Sequence, residues 1–127
     1  MTTSSAGRRR GLAIKNVRDP ATLDDGRRIL TDRLWPRGVS KEKASITEWC
    51  KDLAPTKELR QWFAHDPERW IEFRRRYHRE LVERGQLDAV REFRDRSRHE
   101  KITFVYDAHD RDHNEAVALL EFAGELP

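Results

Sequence analysis

The period of apolar positions changes several times along the chain, and each change marks an element. Leu12, Ile14 and Val17 form a short apolar segment that closes at Asp19-Pro20 and predicts a first strand. Asp24-Asp25-Gly26 supplies turn chemistry before Arg28–Trp35, where Ile29, Leu30, Leu34 and Trp35 predict a second strand that stops at Pro36 and Gly38. Ser45–Leu53 carries two signals. Ser45 and Glu48 have capping-box spacing, whereas Trp49, Lys51 and Leu53 alternate, and the alternation favours a short strand. From Pro55 the spacing lengthens. Leu59, Trp62 and Phe63 share one helical face, and Asp66-Pro67 restarts a helix on which Trp70, Phe73, Tyr77 and Leu81 form a core-facing stripe. A third helix is expected over Leu87–Arg98 with Val90 and Phe93 inward. Ile102–Tyr106 is the clearest strand, followed by a helix bearing Ala116, Val117, Leu119 and Leu120 that Gly124 is expected to end.

Strands, then a helical block, then strand and helix predict a small single-domain α/β sheet with packed helices, its strand order open. A chain of 127 residues buries one core rather than two, so residues 12–127 are read as one domain behind a mobile basic tail, residues 1–11. Charged residues make up 39% of the chain, yet its four Trp, five Phe and two Tyr are core material that a disordered chain lacks. The formal charge of +3 implies mild attraction to anions without compelling nucleic-acid binding. Cys50 is alone and cannot form an intrachain disulfide, and no apolar run reaches the roughly 20 residues that span a membrane. A reducing cytoplasm and no membrane partner are therefore expected.

Two stretches carry candidate chemistry. In "TDRLWPRGVSKEKA", Arg33 and Arg37 are placed to hold a carboxylate or phosphate, Trp35 to floor a pocket, Pro36 to stiffen the turn and Gly38 to permit close backbone approach. The structural alternative packs Trp35 in the core and pairs the arginines with Asp32 or other acids. In "FVYDAHDRDHNEA", a strand runs into a polar turn and a helix, the arrangement that sets ligands beside strand ends. Asp107, His109, Asp110, Asp112, His113 and Asn114 offer carboxylates, imidazoles and an amide there. Helix capping by Asp110 or Asp112 is the bland reading, and His113, assisted by Asp110, the acid/base candidate. His65 in "WFAHDPERW" is either a third site element or a structural cap. Arg74, Arg75 and Arg76 project about 100° apart on a helix and cannot face one ligand together. Glu72 with Arg76, and Glu92 with Arg96, have ion-pair spacing. Cys50 has no local activating motif.

"DRLWPRG", "KDLAP", "WFAHDPERWIEF" and "DRDHNEA", in this order, resemble the YeaO-like branch of the domain-of-unknown-function 488 family from Leu12 to Leu120. The resemblance implies a compact cytosolic α/β protein and transfers no activity. More distant members carry cysteines near the final strand and helix, where this chain has Tyr106 and His113-Asn114, so thiol chemistry is not carried over. The expected function is binding of a small anionic ligand in a pocket joining Arg33–Gly38 to Asp107–Asn114, with acid/base catalysis by His113 and Asp110 as its possible extension. Arg33, Trp35, Arg37, His65, Asp107 and Asn114 are the ligand-binding candidates. A nucleic-acid-binding regulator and a metal-assisted hydrolase are the alternatives; cofactor, metal and oligomeric state stay open.

Overall fold

The structure, a computed structural model, describes residues 10–127. Four parallel strands, β1 (Gly11–Asn16), β2 (Arg27–Leu30), β3 (Glu48–Trp49) and β4 (Lys101–Tyr106), form one sheet in the order β1-β4-β2-β3. The last strand in sequence is thus inserted between the first two, with Ile14 beside Phe104 and Phe104 beside Ile29. Five α-helices accompany the sheet: α1 (Lys41–Ala44), α2 (Lys57–Phe63), α3 (Trp70–Glu83), α4 (Leu87–Arg96) and α5 (Glu115–Glu125). Of the expected tail, residues 1–9 lie outside the described residues, and Gly11 already opens β1.

Alternation along the strands divides the core. Ile29, Ile102, Phe104 and Tyr106 point to one face, where Leu59 and Phe63 of α2, Phe73, Tyr77 and Leu81 of α3, Val90 and Phe93 of α4, and Leu119 and Phe122 of α5 cover them. Leu30 and Val105 point to the other face, under Val17, Ala44 and the partly buried Trp35 and Trp49. Trp35 and Trp49 meet edge to face at 5.5 Å. The opposite end of this second face is polar. Asp25 accepts from Lys15 (3.0 Å) and from the buried Arg28 (2.7 Å), and Thr103 donates to the Asp25 carbonyl.

Several boundaries differ from the sequence reading. β2 stops at Leu30, because Leu34 and Trp35 belong to the turn that follows, Leu34 exposed and Trp35 folded onto the second face. Ser45–Leu53 is a strand only at Glu48–Trp49 and continues as a 3-10 turn over Lys51–Leu53. Ser45 itself is the left-handed C-cap (φ 49°) of the short α1. The helix after Asp66-Pro67 opens as a 3-10 turn, Pro67–Arg69, capped by the Asp66 side chain. α4 ends at Arg96, and Gly124 sits inside α5, which runs on to Glu125 because Phe122 and Ala123 are still buried. Among the described residues no helix is long and apolar enough to cross a membrane.

Candidate functional site

β2 and β4 are parallel neighbours, so the loops that leave their C-terminal ends emerge on the same edge of the sheet. These are the two chemically rich stretches of the sequence, and they face each other across a cleft of about 660 Å³. Arg33, Trp35, Arg37, His65, Asp107, His113 and Asn114 all line it, while Asp110 stands behind His113. The third wall is the 54–63 segment, which contributes Lys57, Arg60 and Phe63.

The cations of the cleft differ from those elsewhere. Along α3 and α4, Arg74 pairs with Glu121, Arg75 and Arg76 with Glu72, Arg91 with Asp88, and Arg96 with Glu92 and Glu100. The arginine-rich helices therefore spend much of their charge on their own acids. Among the described residues, the side chains of Arg33, Arg37, Lys57 and Arg60 make no hydrogen bond or ion pair, although all four line the cleft. Of the structural alternative, Trp35 does pack against the core of the second face, but neither Arg33 nor Arg37 bridges to Asp32 or another acid among the described residues.

Other candidates are committed to structure. Asp107 receives both Arg18 Nε (2.9 Å) and Arg18 Nη2 (3.0 Å), and the same Nη2 donates to the Arg37 carbonyl, so one guanidinium ties the two loops together. The Trp35 indole N–H donates to the Val39 carbonyl at 2.7 Å, which fixes the ring as a wall. The cap of α5 is Asn114 rather than Asp110 or Asp112: its Oδ1 accepts from the amides of Ala116 (3.0 Å) and Val117 (3.1 Å), and its Nδ2 donates to the Asp110 carbonyl. Asp110 instead accepts from the amides of Asp112 and His113 and lies 2.9 Å from His113 Nδ1. That contact holds the Asp110 carboxyl below its ordinary pKa. His113 also meets Trp70 edge to face at 5.3 Å. His65 is exposed and follows Ala64 in the left-handed region (φ 56° and 48°), a conformation costing a non-glycine residue roughly 1–2 kcal/mol. Gly38 also has positive φ (76°), but a Cβ there would meet nothing within 4 Å, so its glycine serves the turn rather than a close approach.

Sequence reasoning missed Asp32, Glu115, Lys57 and Arg60. Asp32 follows the C-terminal end of β2 and Glu115 opens α5; their carboxyls meet in the cleft wall. Asp32 Oδ2 accepts the Asp107 amide at 3.0 Å, and Glu115 Oε2 lies 3.3 Å from the Thr31 hydroxyl. Burial, then the negative charge of Asp32 and the hydrogen bond with it, hold the Glu115 pKa well above the ordinary range. Burial raises that of Asp32 as well, against the hydrogen bonds from Glu115 and the Asp107 amide. The two carboxyls thus share one buried site in which both hold their protons to higher pH than usual, Glu115 the more strongly. Asp32 was legible as the acid just beyond an apolar strand, at the edge where ligands bind. Glu115 was not, since an acid in the first turn after a helix cap is already accounted for by the helix dipole.

Cys50, half-buried and beside Glu48, has its thiol pushed up to about 12, which leaves no thiolate near neutral pH. Among the described residues no three His, Cys, Asp or Glu side chains are grouped to hold a metal ion.

A family profile described as "Inactive DUF488-N3 subclade" matches residues 11–126. An uncharacterized protein of Mycobacterium tuberculosis (strain ATCC 25618 / H37Rv) is 44% identical over 84 residues, 66% of this chain and 71% of that one. The uncharacterized protein YeaO of Escherichia coli (strain K12) is 36% identical over 112 residues, 88% of this chain and 96% of its own. No solved structure matches.

Proposed function

This chain belongs to the inactive DUF488-N3 subclade, and we propose that it binds a small anionic ligand, bearing phosphate or carboxylate, in the cleft between the β2–α1 loop, α2 and the β4–α5 loop. The observation that carries this reading is the group formed by Arg33, Arg37, Lys57 and Arg60, four cations on one concave surface that make no side-chain hydrogen bond or close ion pair among the described residues, with only Arg60 near enough to act on the Asp32 carboxyl. These four positive charges outnumber the acids that line the cleft with them, Asp32, Glu115 and the Arg18-paired Asp107, and a bound anion relieves their mutual repulsion. The Asp107 carboxylate does not offset them, because Arg18 already neutralises it. Binding without turnover agrees with the subclade's description as inactive.

Calorimetric titration with inorganic phosphate, pyrophosphate and citrate at low and high salt tests the proposal. Binding is expected at low salt and weakens as salt screens the site. Arg33→Ala with Arg37→Ala should weaken it about tenfold or more, consistent with losing charge-assisted contacts, while leaving thermal stability nearly unchanged. Absence of heat with all three anions at millimolar concentration would sink the reading.

A further inference from the structure

Building on the anion-binding reading, we infer that the ligand is a phosphorylated polyol of sugar-phosphate size. Its phosphate is held by the unpaired cations, and its hydroxyls donate to the Asp32–Glu115 carboxyl pair.

Several carboxylates elsewhere in the chain are tied to cations: Asp25 to Lys15 and Arg28, Asp19 to Arg111, Asp107 to Arg18. Asp32 and Glu115 make no ion pair among the described residues, and they come from two different elements to meet in the wall of the same cleft. Asp32 Oδ2 accepts the Asp107 amide, and the other lone pairs of its carboxyl border the cleft beside Glu115. A ligand that fills the cleft must bring hydrogen-bond donors to them.

Charge decides which donors. An ammonium group would enter a site that holds four cations, and a second anion would meet the two acids Asp32 and Glu115. Neutral hydroxyls meet neither penalty. Trp35, Pro36, Phe63 and Phe73 add apolar wall on which the C–H faces of a polyol can pack. The cleft, about 660 Å³, is far larger than a bare phosphate needs and lies in the range of small-molecule sites.

The test titrates the full chain with ribose 5-phosphate, butyl phosphate and inorganic phosphate. Ribose 5-phosphate is expected to bind about tenfold or more tightly than butyl phosphate, because only its hydroxyls reach the carboxyl pair. In Asp32→Ala, shown to be folded by its thermal melt, the two organic phosphates should bind alike. If that variant does not fold, the comparison on the unsubstituted chain decides alone. Equal affinity of the two organic phosphates for the unsubstituted chain, or a preference that survives in folded Asp32→Ala, overturns the polyol assignment and leaves the anion site standing. No binding of any of the three overturns both.

Discussion

Glu115 is the residue whose surroundings depart furthest from what its type requires. Placed at the first position of α5 it faces the Asp32 carboxyl, close to the buried Tyr77, whose phenol pKa is raised chiefly by burial. Folded Glu115 holds its proton to higher pH than the unfolded chain does. Folding therefore takes up a proton in that interval, and stability falls as pH rises from the ordinary glutamate range through the folded value. Below that range the contribution is complete. Glu115→Gln keeps a donor for Asp32 and removes the titration, so the variant is expected to melt higher than the unsubstituted chain at mildly alkaline pH, on the order of 3 °C or more, with the difference vanishing in acid. Melting curves across pH check this; parallel curves at every pH would mean that Glu115 ionises normally. Arg33 and Arg37 are the complementary case. Their value as site candidates was legible from residue type and turn, but that they stay unpaired depends on which acids the fold brings near.

At the scale of elements, the last helix depends on its first residue. Asn114 satisfies two α5 amides with one oxygen and the Asp110 carbonyl with its amide nitrogen, so Asn114→Ala is expected to cost about 1–2 kcal/mol. Urea unfolding reads that cost, and Asn114→Ser should recover most of it. The same cap aims Glu115 at Asp32, so a frayed start to α5 also loosens the carboxyl pair. The sequence pattern found α3, α4, β4 and α5 because their apolar stripes are long and regular. It overextended β2, since Leu34 and Trp35 look like strand residues until one sees that the turn is held by the Trp35–Val39 bond and by packing on the second face. It missed α1, only Lys41–Ala44, whose one apolar residue gives no period to read.

For the whole molecule, the order β1-β4-β2-β3 requires the chain to cross back between β1 and β2 and leave room for β4, and the 3-10 turn Leu23–Asp25 anchors that crossing. Gly26 follows it at φ +62°, where a Cβ would lie 2.2 Å from the Lys101 carbonyl oxygen. Asp25 joins Lys15 of β1 to Arg28 of β2, and Arg28 is only 3% exposed. Asp25→Ala leaves a buried guanidinium without its counter-charge and is expected to cost about 3–5 kcal/mol, measured by chemical denaturation. Arg28→Met on that background should recover part of the loss, because the stranded charge is removed. Strict additivity of the two substitutions would show that the pair is not coupled.

The sequence alone determined the element types, the α/β class, the apolar residues of the main core and the two polar stretches worth inspecting. These follow from local periodicity and turn chemistry, which act over a few residues. Only the tertiary structure decided that β4 lies beside β2, and with it that Arg33 and Arg37 share a cleft with His113, 76 positions after Arg37. It also decided which charges are paired and which are left over. Asp107 and Asn114 turned to partners within the fold, while Asp32 and Glu115 met in the cleft wall. Strand order and ion pairing join residues far apart in the chain, so no local pattern encodes them.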